Sequence, residues 1–282
     1  MFELQKQVAC KLTGLGAALA LVSCAGSVDI SRQSLKAGAT YVAMGSSYAA
    51  GPDLGQPKPD MPKRCSRDNG SYPSLLAARL KLNLIDATCS GATTAHILGP
   101  WNELSPQIDA LTPETRLVTI TIGGNDINYV RNLYVATCDS VKMQRVCPPL
   151  LIPTNADWTK LEADLRKIAD EVRLRAPKAK LVFVDYVTLV PEGKLCSSVP
   201  MTDASAQTMR QIAAQFAAVT AKAAHESGAE LLNAGELSKQ HTPCDADPWS
   251  IGTLMTPGTA PWHPNNAGMR GIARALASKL VG

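Results

Sequence analysis

Short apolar runs alternate along this chain with longer stretches in which apolar residues recur every three or four positions. The runs predict strands and the periodic stretches predict helices. Tyr41 and Val42 open the first strand, residues 82–85 form a second, and residues 117–122 form a third that is β-branched almost throughout. Such a near-continuous β-branched run, without a charge, suits a strand covered on both faces of a parallel sheet. Residues 181–184 repeat the pattern, and Leu231 with Leu232 makes a weak fifth strand. Between them, residues 71–80 carry Leu75, Leu76 and Leu80 at helical spacing. Residues 160–175 place Leu161, Leu165, Ile168 and Val172 on one helix face, and residues 204–225 do the same with Ile212, Phe216 and Val219. A last helix holds Ile272, Leu276 and Leu280.

Strand and helix in alternation predict an α/β fold, a three-layer α/β/α sandwich on a central parallel sheet of about five strands. Ligands of such sheets bind at the carboxyl ends of the strands. Three small-residue turns follow predicted strands and should therefore meet on one edge: Gly45-Ser46-Ser47, Ser90-Gly91-Ala92 and Gly123-Gly124-Asn125-Asp126. Residues 51–69, rich in Pro, Asp, Lys and Gly, read as a surface loop beside the first turn that shapes access to it.

Composition changes this picture at the N-terminus. Lys6 and Lys11 precede a mostly apolar run, residues 12–22, too short to span a bilayer, which is the pattern of a signal peptide. It ends in Leu21-Val22-Ser23-Cys24, which resembles the lipobox of bacterial lipoproteins, with Cys24 the residue to be lipidated. The expected division is a signal peptide over 1–23, a lipidated Cys24 and polar tether over 24–39, and one domain over 40–282. The protein is expected to be exported and lipid-anchored to a bacterial membrane, or otherwise periplasmic or extracellular, and to be a monomer. A balance of 28 basic against 24 acidic residues, net +4, contains no basic block to follow a phosphate backbone, so nucleic acid is excluded as a partner.

Six cysteines remain in the domain: Cys65, Cys89, Cys138, Cys147, Cys196 and Cys244. An even number in an exported chain, with no C-x-x-C spacing and scattered histidines, predicts disulfides rather than a metal site. Six cysteines allow fifteen connectivities; the pairing expected is between sequential neighbours.

The candidate chemistry is nucleophilic. Ser47 at the tip of the first strand is the candidate nucleophile, and His263, in Trp262-His263-Pro264, is the candidate base. Candidate donors to an oxyanion are the backbone N–H groups of Ser47 and Gly91 and the side-chain amide of Asn125. Tyr48 and Trp262 suit either packing or the pocket. His96, His225 and His241 read as structural or surface residues, and Asp126 as a holder of its own turn. The elbow G-x-S-x-G of α/β-hydrolases is not met, because Ala49 lies two positions after Ser47.

With these residues in place the chain resembles the SGNH hydrolases, the GDSL family of esterases and lipases, over residues 40–280. Gly45-Ser46-Ser47 matches the nucleophile block, with Ser46 in place of the usual aspartate. Ser90-Gly91 matches the glycine block, Gly123-Gly124-Asn125-Asp126 the asparagine block, and His263-Pro264 with Gly268 the histidine block. The resemblance implies an SGNH or flavodoxin-like sheet and hydrolysis of carboxylic esters, of an acyl lipid or an acylated small molecule or glycan, without a cofactor or metal. The family usually has an acid three residues before the histidine, where this chain has Ala260. The chain is in this respect similar to the secreted actinobacterial esterases, in which a backbone carbonyl replaces the carboxylate; the three cysteine pairs also resemble that branch. The carbonyl of Ala260 is the expected acceptor for His263 Nδ1, with Asp245 or Asp247 as the alternative. The rival functions are acyl transfer or polysaccharide deacetylation on the same site, and a binding lipoprotein without catalysis.

Overall fold

The computed structural model describes residues 35–59, 61–141, 146–253 and 260–281. The expected signal peptide, Cys24 and most of the expected tether lie outside the described residues. Five parallel strands form one sheet: β1 (Thr40–Gly45), β2 (Asn83–Asp86), β3 (Thr115–Thr121), β4 (Lys180–Val184) and β5 (Glu230–Leu232), in the spatial order β2-β1-β3-β4-β5. The helices are α1 (Ser47–Ala50), α2 (Tyr72–Leu80), α3 (Thr94–Leu98), α4 (Tyr129–Thr137), α5 (Asn155–Arg175), α6 (Asp203–Glu226), α7 (Ala234–Leu237) and α8 (Asn266–Val281). α2 packs on α8, and α5 on α6 and α3. Right-handed crossovers put these two groups on opposite faces of the sheet, which gives the three layers.

The central strands are covered as their composition demands: Tyr41 to Met44 of β1 and Leu117, Val118 and Ile120 of β3 are fully buried. β2 is an edge strand that alternates between exposed and half-buried positions. Its Asp86 takes the ammonium of Lys58 at 2.6 Å. α4 and α3, which the apolar spacing does not announce, fill the two connections that leave the carboxyl ends of β3 and β2. The end of the expected tether already belongs to the domain, since Gly38 N–H donates to the Lys81 carbonyl at 2.7 Å and Leu35 and Ala39 pack on the core.

β1 is followed by β2 on one side, and the chain then returns to β3 on the other side. The strand order therefore reverses between β1 and β3, where the connections diverge and leave a crevice at the carboxyl edge. Three disulfides close the irregular segments around that edge, Cys65–Cys89, Cys138–Cys147 and Cys196–Cys244.

Candidate active site

Ser47 stands two residues beyond the last position of β1, as the first residue of the one-turn helix α1. The strand end beneath it is fixed on every side. Gly45 donates its N–H to Gln107 Oε1 at 2.7 Å, while its carbonyl accepts from Gln107 Nε2 at 3.0 Å and from Cys89 N–H at 3.0 Å. Ser46 N–H continues the ladder to the Thr121 carbonyl at 2.9 Å. Gly45 has φ +138°, and a Cβ there would meet the Thr121 carbonyl oxygen at 2.3 Å, so no other residue lets β1 and β3 come this close before the turn.

His263 arrives from the opposite end of the chain, 216 residues away in sequence, and its Nε2 lies 2.8 Å from Ser47 Oγ. Nδ1 lies 2.7 Å from the carbonyl of Pro261. A carbonyl has no hydrogen to give, so Nδ1 carries the proton and Nε2 presents its lone pair to the serine hydroxyl. Burial pushes the His263 pKa below the ordinary value, against the opposing pull of the Pro261 carbonyl and the Asp53 charge, and so favours the neutral ring. Ser47 and His263 are 9% and 8% exposed, which leaves each just enough surface for a reactant to reach.

The acceptor is therefore Pro261 and not Ala260, a correction with a local cause. Trp262 has φ +61°, a left-handed conformation rare outside glycine, and this turns the preceding carbonyl back toward the ring. The carbonyl of Ala260 accepts the backbone N–H of His263 at 3.2 Å instead. Asp245 and Asp247 face other groups: Asp245 accepts from Thr242 N–H at 2.7 Å and Thr242 Oγ1 at 2.8 Å, and the Asp247 carboxylate lies 3.7 Å from His241 Nδ1.

The two remaining turns are tied to each other. The amide of Asn125 donates to the Ala92 carbonyl at 2.8 Å, with its second N–H still to give. Asp126, expected to hold its own turn, accepts instead from Thr94 Oγ1 at 2.6 Å and Thr94 N–H at 3.1 Å, so it locks the asparagine turn to the glycine turn. Gly91 is exposed and has φ +85°; a Cβ there would press the tip of the Trp101 ring at 3.2 Å. Cys65–Cys89 and the bond from Ser90 N–H to the Cys65 carbonyl, 3.0 Å, anchor this turn to the loop that follows α1.

Tyr186, just beyond β4, carries no motif that marks it in the sequence. Its hydroxyl lies 3.1 Å from Ser46 Oγ and accepts Gly124 N–H at 3.2 Å, bridging the nucleophile and asparagine turns. The serine in the family's aspartate position thus bonds to a residue 140 positions away. Tyr48 is core: its ring rests on Tyr186 at 4.1 Å and on His263 at 4.9 Å, and its hydroxyl donates to the Trp262 carbonyl. Trp262 is fully buried and packs rather than lining a pocket. His96 caps α3 through Thr93 and stacks on Trp101, His241 stacks on Trp249, and His225 is exposed. A cavity of about 730 Å³ between α6 and the segment after β4 is lined by Tyr186 and Tyr129, and it does not reach Ser47 or His263.

A serine hydroxyl on an imidazole that burial keeps neutral, at the carboxyl edge of a parallel sheet, is the arrangement of a serine hydrolase. Residues 43–270 match the GDSL-like Lipase/Acylhydrolase family, and the chain belongs to that family. It is 30% identical over 245 residues to Lipase 2 of Streptomyces coelicolor, covering 83% of each chain. Among solved structures it is similar to a phospholipase A1 from Streptomyces albidoflavus, with TM-score 0.72 and 26% identity over 86% of this chain and all of that one. The extracellular lipase of Streptomyces rimosus matches at TM-score 0.69 and 27% identity, over 86% of this chain and 99% of that one. An acetylxylan esterase from Geobacillus stearothermophilus, at TM-score 0.50 and 17% identity, over 88% of this chain and 96% of that one, shares the fold.

Proposed function

We propose that the protein is an exported serine esterase or lipase that hydrolyses carboxylic esters through an acyl-enzyme on Ser47. The observation that carries this reading is the 2.8 Å contact from Ser47 Oγ to the lone pair of His263 Nε2, with Nδ1–H committed to the Pro261 carbonyl. Ser47 Oγ attacks the acyl carbon and gives its proton to Nε2. The oxyanion that forms is held by the N–H groups of Ser47 and Gly91 and the free N–H of the Asn125 amide. Collapse of that intermediate expels the alcohol, which takes the proton from the imidazolium, and a water molecule then repeats the sequence to release the acid.

Three disulfides and the names of the Streptomyces relatives support export. The lipobox-like residues at Cys24 support a lipid anchor, which places the site at a membrane surface where acyl lipids lie. Similarity to a phospholipase and to lipases favours such esters over acylated glycans. The binding-lipoprotein alternative rested on the absent acid, and the Pro261 carbonyl fills that position.

Labelling with a fluorophosphonate tests this reading, followed by hydrolysis rates on esters of increasing acyl length. Label on Ser47, lost in Ser47→Ala, is the expected result. An unlabelled wild-type protein would overturn it, and products formed on added alcohols in preference to water would make it an acyltransferase.

A further inference from the structure

Asp185 is the first residue beyond β4 and takes no part in the chemistry of Ser47 and His263, yet it is only 7% exposed. Its Oδ1 accepts the N–H of Gly235, in α7, at 3.0 Å. No side-chain donor and no ion pair reaches this carboxyl among the described residues. Asp185 lines the cavity of about 730 Å³ between α6 and the segment after β4. That volume falls within the roughly 300–1,000 Å³ of small-molecule sites, which combine apolar walls with a few fixed polar groups.

The walls here are apolar on both sides. Val187, Leu189 and Val190 line the cavity from the segment after β4, and Phe216, Ala213 and Ala217 line it from α6. The two alanines are four positions apart and so share one helix face, where they leave open the space that longer side chains would fill.

The charged groups around the cavity divide unequally. Both cations are engaged: Arg210 of α6 donates through Nε to the Pro191 carbonyl at 2.8 Å, and Lys239, two residues beyond α7, lies 2.8 Å from Glu236 Oε1. Glu192, exposed in the segment after β4, has no ion-pair partner among the described residues. Tyr129 and Tyr186 also line the cavity, and burial holds both in the phenol form. The unanswered charge is therefore negative, and its buried part belongs to Asp185. Burial pushes the Asp185 pKa up to about 7, against the N–H groups of Gly235 and Ala234, and the Glu236 charge adds to the rise.

We propose that this cavity binds an amphiphilic primary ammonium ion, with its N–H groups on the Asp185 carboxylate and its alkyl chain between α6 and the segment 187–190. An ammonium brings three donors and the opposite charge. A carboxylate ligand would set like charges together, and an alcohol lacks the charge. The site is separate from Ser47 and His263, but its wall includes Tyr186, whose hydroxyl joins Ser46 to Gly124. A bound ligand thus rests against the residue that ties two turns of the candidate active site together.

The test is isothermal titration calorimetry of the wild-type protein with n-octylamine, octanoate and 1-octanol, between about pH 8.5 and about pH 5.5, a range in which an alkyl amine stays protonated. Octylammonium should bind in preference to the other two, and its affinity should fall as pH drops through about 7, where Asp185 gains its proton. Shortening the amine should weaken binding by up to about fourfold per methylene. Asp185→Asn, which keeps an acceptor for Gly235 N–H, should lose about ten- to a hundredfold in affinity, as for a hydrogen bond to a charged group, and should lose the pH dependence. Ala217→Phe fills the cavity, leaves Asp185 in place and should abolish binding. Absence of amine binding, octanoate or octanol binding as tightly as the amine, or an affinity unchanged in either variant overturns the proposal. If Asp185→Asn does not fold, Ala217→Phe and the wild-type pH series decide.

Discussion

The proposed nucleophile and the proposed base of this site are held in opposite ways. Ser47 rides on the end of a buried parallel strand, and the backbone beneath it is bonded to β3, to the Gln107 amide and to Cys89. His263 sits in an irregular segment with no strand under it. Its support is a set of separate contacts: Trp262 N–H to the Gly252 carbonyl at 3.1 Å, Asn265 N–H to the Trp249 carbonyl at 2.9 Å, two tyrosine hydroxyls, and the Cys196–Cys244 bridge at the base of the same late region. A sheet fixes a residue by regular repetition, whereas a loop fixes one by contacts that can be removed singly. The nucleophile side should therefore respond to mutation in an all-or-none manner, and the base side by degrees.

The largest effect expected is on the nucleophile side. Ser47→Ala should abolish turnover with the melting temperature unchanged, while Ser46→Ala, which loses only the Tyr186 contact, keeps most of its activity. The reverse result would move the nucleophile to Ser46. Next comes Asn125→Ala, with a fall in kcat of roughly 10²-fold or more, as for removal of one oxyanion donor. A steady-state assay on a soluble ester reads it, and a change in KM alone would remove Asn125 from the oxyanion site.

On the base side, replacing Cys196 and Cys244 together by serine should destabilise the fold by up to about 4 kcal/mol, the chain-entropy figure for a 48-residue separation. The same change at Cys138 and Cys147, nine residues apart, should cost up to about 3 kcal/mol. Differential scanning calorimetry with a parallel activity scan checks the pair. Only the first variant should lose activity ahead of its unfolding transition, because only that bridge backs the histidine. Tyr48→Phe leaves the buried Trp262 carbonyl without its donor, a cost of about 1–3 kcal/mol, and should lower kcat several-fold with KM little changed.

The smallest effect is a displacement on the pH axis. Because the base must be neutral and burial lowers its pKa, the acid limb of kcat/KM should lie below the ordinary histidine value of about 6.5. Activity should thus persist into mildly acidic solution and fall as pH drops through the lowered pKa. A limb above that value would mean that a carboxylate stands against the ring after all.

Much of the nucleophile side was legible because it is written in local sequence. An apolar run followed by Gly45-Ser46-Ser47 specifies a buried strand and its turn, and the Gly123-Gly124-Asn125-Asp126 turn after β3 follows the same rule. The base side was legible only as a residue, His263. Its orienting carbonyl was expected one residue too early, because the left-handed φ at Trp262 has no signal in a non-glycine residue. Gln107 and Tyr186 were not marked at all. Each acts through a side chain that meets backbone or hydroxyl far along the chain, and such meetings leave no periodicity to read.

The sequence by itself determined the alternation of strands and helices, the parallel sheet, and the serine and histidine. These follow from properties that act over a few residues: side-chain shape, apolar spacing, and the turn chemistry of glycine and serine. Tertiary structure alone decided that the carbonyl of Pro261 takes Nδ1, that Asp126 bonds to Thr94 rather than to its own turn, and that Tyr186 joins Ser46 to Gly124. Those choices depend on which groups come within about 3 Å once both faces of the sheet are packed. That distance is set by the whole fold and by no segment of it.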